Sequence, residues 1–251
     1  MSGVVLETRA LVKRFGSFVA TQDVALRVQA GARHALIGPN GAGKTTLINL
    51  LTGFLEPTSG EVLLEGVAVT RLAQHRRVQR GLVRTFQINR LFADLTVLES
   101  VLLAVNERRG LGARFWRPVA GHAEALDEAC AVLERMRLLD VAQQRTRDIA
   151  YGKQRLLEIA LALAARPRVL LLDEPAAGVP TAESRELFET IAALPHEVTV
   201  LLIEHDMDLV FRYADRISVL VGGAVLAEGE PAAIARDPRV KEVYLGEAIH
   251  G

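Results

Sequence analysis

The segment Gly38–Thr45, with the sequence GPNGAGKT, contains three glycines followed by a lysine and a threonine. It satisfies the pattern G-x-x-x-x-G-K-[ST] at every fixed position, and in this pattern backbone N–H groups surround phosphate oxygens. A short apolar stretch precedes it, and Lys44–Gly53 favours a helix whose N-terminus adds partial positive charge. A glycine-rich turn that binds nothing is the alternative, which this strand–loop–helix order disfavours. The segment therefore predicts a site for nucleotide phosphates.

Two side chains of this phosphate loop have predicted roles toward a nucleoside triphosphate. Lys44 is expected to reach the β- and γ-phosphates, and the Thr45 hydroxyl is expected to ligate Mg²⁺. The complete set of predicted phosphate-binding residues is Gly38, Pro39, Asn40, Gly41, Ala42, Gly43, Lys44, Thr45 and Thr46.

An acidic pair, Asp173 and Glu174, ends the apolar run VLLLDEP. A buried strand exposes its polar end at the carboxyl edge of a sheet, where ligands of open α/β sheets bind. Asp173 is therefore predicted to serve the Mg²⁺ shell, and Glu174 to polarise a water for attack on the γ-phosphate. Two solvated charges at a strand end are the alternative for the pair alone. Beside the phosphate loop, the pair predicts a hydrolase.

Composition limits the partners and the compartment. The chain has 30 Lys+Arg and 30 Asp+Glu, and its pI is near 7.0. Nucleic-acid binding usually leaves a basic footprint, so no nucleic-acid partner is expected. The basic run Gln74–Gly81 is interpreted as a solvated helix face, and a local basic patch is the alternative for it. The single cysteine, Cys130, allows no intrachain disulfide, which is typical of a reducing cytoplasm, and its expected role is that of a buried structural thiol.

The sequence predicts neither a targeting segment nor a membrane span. Charges occur from Glu7 onward, and the N-terminus lacks an apolar core of signal-peptide type. A membrane span needs ~18–20 uninterrupted apolar residues. The apolar stretch Leu156–Leu172 is interrupted by Glu158, Arg166, Pro167 and Arg168. We therefore expect a chain that is soluble by itself.

The order of elements predicts an α/β fold. Alternation from Val4 to Gln29 favours antiparallel strands, and apolar strands alternate with helices after residue 148. Between residues 91 and 148, Leu, Ala, Arg and Glu recur at helical spacing. We predict a nucleotide-binding core, residues 1–90 and 149–251, with a mixed, mostly parallel sheet and an N-terminal antiparallel part. Residues 91–148 are predicted to form an inserted α-helical lobe.

Five motifs in one order resemble the ATPase subunit of an ABC transporter. They are Gly38–Thr46, Gln87, AYGKQ (Ala150–Gln154), LLLDEP and His205 in LLIEHDM. The resemblance covers essentially the whole chain. It implies a P-loop NTPase core with an inserted helical lobe, which together form one ABC ATPase domain with ATP and Mg²⁺ as ligands.

The resemblance also implies roles for single residues. Phe15 matches the aromatic that stacks on adenine, and a core phenylalanine is the alternative for it. Gln87 matches the glutamine that meets Mg²⁺ and the attacking water. His205 matches the histidine that contacts the γ-phosphate and supports Glu174, and a structural histidine is the alternative there.

The segment AYGKQ occupies the position of the family's signature, usually Leu-Ser-Gly-Gly-Gln. The resemblance implies that Tyr151, Gly152, Lys153 and Gln154 start a helix and touch the γ-phosphate of ATP held by a second subunit. Tyr151 and Lys153 replace the common Ser and Gly. Pro180 stands where most members have an Asp that helps the two ATP sites communicate, which puts that communication in doubt.

Further segments, among them RTFQ, DEPAAG, LLIEHDM and VYLGE, resemble the branch that contains the ATPases of branched-chain amino-acid importers. Related members serve urea or short-chain amide importers or lipopolysaccharide export. The implied partners are transmembrane permease subunits, a second ATPase subunit in a homo- or heterodimer and, indirectly, a solute-binding protein. The implied location is peripheral, at the cytoplasmic face of the membrane. A permease helix is expected near Gln87, with Leu91, Phe92 and Leu95 as apolar anchors.

Two other classes remain as alternatives. A soluble ABC ATPase acting on DNA or ribosomes usually has two ATPase halves or a long coiled-coil insertion, and this sequence has neither. A nucleotide-binding module without hydrolysis is disfavoured by the presence of Lys44, Asp173, Glu174 and His205.

Overall fold

The structure, a computed structural model, describes residues 3–85, 91–110 and 123–247. These residues divide into two compact units. The first unit contains residues 1–84, 168–174 and 195–251, and the second contains residues 85–167 and 175–194. In the part of the chain that the structure describes, no helix has the length and apolar character that crossing a membrane requires.

Eleven strands occur within the described ranges, and all belong to the first unit. In chain order they are β1 (Val4–Phe15), β2 (Phe18–Val24), β3 (Arg27–Gln29), β4 (Arg33–Ile37), β5 (Ser59–Leu64), β6 (Val67–Ala68), β7 (Leu82–Arg84), β8 (Val169–Asp173), β9 (Thr199–Ile203), β10 (Arg216–Val221) and β11 (Ala224–Gly229).

The described residues also form nine α-helices, of which α3 to α6 lie in the second unit. They are α1 (Lys44–Thr52), α2 (Gln74–Gln79), α3 (Val97–Arg108), α4 (Ala123–Arg135), α5 (Tyr151–Ala164), α6 (Thr181–Ala192), α7 (Met207–Tyr213), α8 (Pro231–Ile234) and α9 (Pro238–Glu247).

The strands of the first unit form two sheets. The larger sheet has the order β11-β10-β4-β9-β8-β7, and its strand pairs are parallel except for the hairpin β10–β11. The other sheet has the order β2-β1-β5-β6, with β3 also paired to β1, and all its pairs are antiparallel. Because β4, β9 and β8 are parallel neighbours, the residues that follow them meet at one carboxyl edge.

Burial of α1 positions the phosphate loop. The helix begins directly after the loop, and Leu47, Ile48, Leu50 and Leu51 are fully buried in the core of the first unit. Strands from both sheets contribute to the same core, which explains their apolar sequences. Full burial of an aliphatic side chain stabilises a fold by roughly 1.5–3 kcal/mol. The helix that starts at Lys44 is therefore anchored along its length.

The prediction that Gln74–Gly81 forms a solvated helix face is wrong for one arginine. Arg77 in α2 is 1% exposed. Its guanidinium donates to the carbonyl oxygens of Leu50 and Leu51 at the end of α1 (2.7 and 2.6 Å), and also to those of Leu72 and Thr70. Arg77 thus donates to carbonyl oxygens at the C-terminus of α1, of which that of Leu50 also accepts from the N–H of Gly53. Burial lowers the pKa of Arg77.

A buried histidine lies in β4, just before the phosphate loop. His34 is fully buried, and its Nε2 lies 2.8 Å from Ser218 Oγ, which donates to Glu228. Burial lowers the pKa of His34 from 6.5 to about 4, because the charged imidazolium would lose its hydration. The imidazole is therefore neutral at physiological pH.

The second unit is a group of helices. Helix α3 packs against α4 and α5, and α5 also packs against α6. The predicted lobe, residues 91–148, lies within this unit, which also takes in α5 and α6 because both helices pack in the same group. Cys130 in α4 is only half-buried, in contrast to the buried thiol that we expected.

Candidate functional site

The phosphate loop of the structure has the form that the sequence predicted, a turn between β4 and α1. The ammonium of Lys44 is nearly buried, and it donates to the carbonyl oxygens of Gly38 and Pro39 (2.9 Å for Pro39). A cation is thereby held inside the loop, next to the N-terminus of α1. Both features favour an anion such as phosphate, so the loop fits a nucleotide.

Two glycines of the loop have steric reasons to be glycine. A Cβ atom on Gly38 would lie 2.0 Å from the carbonyl oxygen of Leu220 in β10. On Gly43, which has φ of +100°, a Cβ atom would lie 2.4 Å from the carbonyl oxygen of Ala20 in β2. Strands of both sheets therefore approach the loop too closely for any side chain at these two positions.

Asp173 is the last residue of β8 and Glu174 follows it, at the strand end that the sequence predicted. Asp173 is 7% exposed, and its Oδ2 accepts a hydrogen bond of 2.6 Å from Arg84 in β7. Asp173 and the exposed Thr45 both carry oxygen atoms, which are the donors that Mg²⁺ prefers. These donors fit the predicted metal, whose remaining ligands are usually water and phosphate.

Glu174 and His205 form a pair at the same edge. His205 follows β9, the neighbour of β8, and its Nε2 lies 2.8 Å from Glu174 Oε1. The backbone of Glu174 has a φ of +49°, which residues other than glycine rarely adopt. Such strained residues cluster at functional sites. The strained backbone and the histidine together fix the direction of the Glu174 carboxylate. A carboxylate held in this way can accept a proton from water.

Phe15 is exposed, which contradicts the alternative of a core phenylalanine. Its ring is 48% exposed at the end of β1, opposite Phe18 in β2. Strand β2 also contains Ala20, whose backbone lies against the phosphate loop at Gly43. An exposed ring on this hairpin is accessible for stacking on a base, as the predicted role requires.

The signature segment begins α5 in the second unit, and Gly152 is the second residue of this helix. The chain enters the helix at Ala150, which offers no side-chain cap, and Gly152 lies within the first helical turn. The N–H of Gly152 donates to Oε2 of Glu183 in α6 at 3.0 Å. A Cβ atom on Gly152 would lie 2.3 Å from the same oxygen. A side chain at this position would require the Glu183 carboxylate, which belongs to the same unit, to move away from the helix start.

The two unusual signature residues are bonded within the second unit. The hydroxyl of Tyr151 donates to the carbonyl oxygen of Ala177 at 3.3 Å. Lys153 donates to the carbonyl oxygen of Arg137 at 2.6 Å and also pairs with Asp140. The amide of Gln154 donates to the carbonyl oxygen of Ile149 at 3.0 Å. These contacts show how the segment holds Tyr and Lys where the common signature has Ser and Gly.

The predicted glutamine, Gln87, lies outside the described residues. The strand before it, β7, ends at Arg84. Of the predicted apolar anchors, Phe92 is 59% exposed, whereas Leu91 and Leu95 are half-buried.

Comparison with family models identifies the chain. A model described as ABC transporter matches residues 21–177, which contain the phosphate loop, the signature segment and the acidic pair. The chain belongs to the ABC transporter family. A second model, described as branched-chain amino acid ATP-binding cassette transporter, matches residues 224–250 of this ABC transporter chain.

Three curated relatives resemble this ABC transporter chain over nearly its whole length. The high-affinity branched-chain amino acid transport ATP-binding protein BraF of Pseudomonas aeruginosa is 44% identical over 99% of this chain and 100% of its own length. The protein of the same description from Escherichia coli, LivG, has the same identity and coverage. A probable LivG of Archaeoglobus fulgidus is 36% identical over 96% of this chain and 95% of its own length.

Solved structures confirm the fold. An ATP-binding cassette of an ABC transporter in its ADP conformation has a TM-score of 0.84 and 33% identity, over 97% of this chain and 99% of that one. A nucleotide-free ATP-binding cassette has a TM-score of 0.82 and 32% identity, over 96% and 98% of the two chains. The α/β fold class and the P-loop NTPase core are therefore confirmed.

Sequence reasoning missed three polar side chains that hold site residues in place. Arg84 contacts Asp173, Glu183 contacts Gly152, and the buried Glu204 accepts a hydrogen bond of 2.9 Å from the N–H of His205. A charged residue within or directly after an apolar strand was the available signal for Arg84 and Glu204. For Glu183, on an amphipathic helix, the sequence offered no comparable signal.

Proposed function

We propose that this chain is the ATP-hydrolysing subunit that energises an importer of branched-chain amino acids. The hydrolytic part is supported above all by the Glu174–His205 pair, 2.8 Å apart, beside a phosphate loop with a buried lysine. The solute is supported by the end-to-end similarity to relatives named for branched-chain amino acid transport. The matched C-terminal segment, residues 224–250, supports the same solute.

The predicted site residues divide the reaction among them. The phosphate loop and Lys44 bind the β- and γ-phosphates, and exposed Phe15 stacks on adenine. Thr45 and Asp173 would hold Mg²⁺, which would supply neutralisation of the phosphate charge. Glu174 takes a proton from the attacking water, and His205 holds the Glu174 carboxylate in direction and contacts the γ-phosphate. Gln87 is assigned to Mg²⁺ and the attacking water.

A second subunit completes each site. The N-terminus of α5, with Tyr151, Gly152, Lys153 and Gln154, is the surface that meets the γ-phosphate of ATP bound by the other ATPase subunit. In this scheme residues 1–90 and 149–251 form the ATP-binding core, and residues 91–148 form the helical lobe. Two ATPase subunits lie at the cytoplasmic face of the membrane on permease subunits, to which a solute-binding protein delivers the solute. Phe92, with Leu91 and Leu95, contacts a short permease helix.

Hydrolysis is tested by replacing Glu174 with glutamine. The variant should bind ATP as the natural chain does and lose Mg²⁺-dependent turnover by ~100-fold or more, because the amide keeps the shape but cannot accept the proton. Glu197→Gln, at an exposed loop carboxylate, is the matched control and should keep full turnover. Phosphate release and ATP affinity are measured for all three proteins. Full turnover by Glu174→Gln would refute the assigned role.

The solute and the subunit arrangement are tested by reconstitution. The chain is combined in vesicles with its permease and binding protein, with or without a second ATPase chain, and leucine uptake is measured. We expect uptake to require a second, different ATPase chain, although a symmetric homodimer is the commoner arrangement among proteins. Full leucine uptake with this chain alone would exclude the heterodimer. Stimulation by urea or a short-chain amide and not by leucine would exclude the proposed solute.

A further inference from the structure

We propose that Arg84 is a positioning residue for Asp173, fixing the carboxylate that serves the Mg²⁺ shell. The inference rests on the proposed function, since it concerns the metal requirement of the same ATP site. Arg84 itself touches neither the nucleotide nor the metal in this scheme. It acts through the side chains that it holds.

Arg84 forms side-chain hydrogen bonds with residues of two elements, β8 and α1. Arg84 is the last residue of β7, and its Nη2 donates to Asp173 Oδ2 at 2.6 Å. Its Nη1 donates to Asn49 Oδ1 in α1 at 2.7 Å. The Arg84 side chain is 13% exposed and that of Asp173 is 7% exposed, so water screens this ion pair weakly. One guanidinium thus joins the end of β8 to the helix that follows the phosphate loop.

Asn49 links Arg84 to Thr45, the predicted metal ligand at the end of the phosphate loop. Asn49 lies four residues after Thr45 in α1, and side chains at this spacing share one face of a helix. Arg84 therefore ties Asp173 to the face of α1 that carries Thr45. Two of the three predicted protein contacts of Mg²⁺, Asp173 and Thr45, are thereby linked through one guanidinium, to Asp173 directly and to Thr45 through α1.

The type of side chain suits this role. A guanidinium is planar and carries several donors in a fixed arrangement, so it can bond two acceptors in set directions. The bond to Asp173 uses Oδ2, and an ionised carboxylate has a second oxygen that can accept from the water shell of the metal. A lysine carries the same charge on a single ammonium group, and it cannot reproduce the two directed hydrogen bonds of a planar guanidinium.

The experiment measures how strongly Mg²⁺ improves ATP binding when turnover is blocked. All proteins carry Glu174→Gln, and the affinity for labelled ATP is determined by equilibrium dialysis in EDTA and at rising Mg²⁺ concentrations. The variants are Arg84→Met, Arg84→Lys and Asn49→Ala. The matched control is Arg33→Met, since Arg33 is also a buried arginine but lies at the start of β4, where it donates to the carbonyl oxygens of Gly31 and Val198.

We expect Arg84→Met to raise the half-saturating Mg²⁺ concentration roughly 10- to 100-fold, as loss of a residue that orients a metal ligand usually does. ATP affinity in EDTA should change less than about 2-fold, because the phosphate loop is intact. Arg84→Lys and Asn49→Ala should lie between Arg84→Met and the parent protein. Arg33→Met should lower the unfolding temperature without changing the Mg²⁺ requirement.

Three results would overturn the inference. An unchanged Mg²⁺ requirement in folded Arg84→Met or Arg84→Lys would make the arginine a purely structural partner. Tighter Mg²⁺ binding would show that Arg84 competes with the metal. Equal loss of ATP affinity in EDTA and in Mg²⁺ would place the effect in the loop. If Mg²⁺ does not increase the ATP affinity of the parent protein, the proposed function is refuted, and not only the role of Arg84.

Discussion

Replacing Gly152 with alanine tests the contact between the signature helix and Glu183. The new Cβ atom would lie 2.3 Å from Glu183 Oε2 and 3.2 Å from Glu183 Cβ, so the carboxylate must move away. The hydrogen bond from the Gly152 N–H, 3.0 Å long, is then lost. A hydrogen bond to a charged group contributes ~1.5–3 kcal/mol, whereas alanine favours a helix over glycine by ~1 kcal/mol. The two effects oppose each other.

The net expectation for Gly152→Ala is therefore a loss of about 1 kcal/mol of unfolding free energy. In a chain of this size such a loss lowers the unfolding temperature by ~2–4 °C. In Glu183→Ala the carboxylate is absent, and Gly152→Ala should instead stabilise the protein by up to ~1 kcal/mol. The sign of the effect should change between the two backgrounds, which corresponds to a coupling energy of about 2 kcal/mol.

The assay is thermal unfolding of four proteins, namely the natural chain, each single variant and the double variant. Because the chain has two compact units, the unfolding of the second unit is followed separately where the transitions resolve. Equal effects of Gly152→Ala in both backgrounds would refute the steric argument. ATPase activity is measured in parallel, and Gly152→Ala is expected to reduce hydrolysis while leaving the ATP affinity of the monomer nearly unchanged.

Three further changes are expected to affect the first unit. His34 has a pKa of about 4 when folded and 6.5 when unfolded, so stability is full above pH 6.5 and falls by about 3 kcal/mol toward pH 4; His34→Asn should flatten this dependence in unfolding experiments. Gly43→Ala places a Cβ atom 2.4 Å from the oxygen of Ala20 and should abolish ATP binding, measured by dialysis. Arg77→Met should cost about 3 kcal/mol in urea unfolding, because buried carbonyls lose their donor.

The parts of the site that follow local rules could be predicted from the sequence. The phosphate loop needs glycines between a strand and a helix, and the acidic pair needs only the end of an apolar strand. Both patterns are contained within a few consecutive residues, and the structure has β4, α1 and β8 as these patterns require.

The supporting contacts could not be predicted, since they join residues that are distant in the chain. Arg84 and Asp173 are 89 positions apart, and Gly152 and Glu183 are 31 positions apart. The sequence does not show which of many charged residues a fold will bring together. Arg77 illustrates the same limit, because the basic run on a short helix gave no sign that its second arginine enters the core.

The contact of the signature helix with Ala177 has a consequence for a two-site transporter. Ala177 follows Glu174 by three positions, and its carbonyl oxygen accepts hydrogen bonds of 3.3 Å from both Tyr151 and Arg155. Under the proposed function, Glu174 serves the chain's own ATP, while the start of α5 serves the ATP of the other subunit. Within this chain, three peptide links and two hydrogen bonds therefore connect Glu174, which serves the chain's own ATP, with the start of α5, which serves the ATP of the other subunit. Such a path can carry a coupling free energy, and reciprocity requires that each bound nucleotide change the affinity for the other by the same factor.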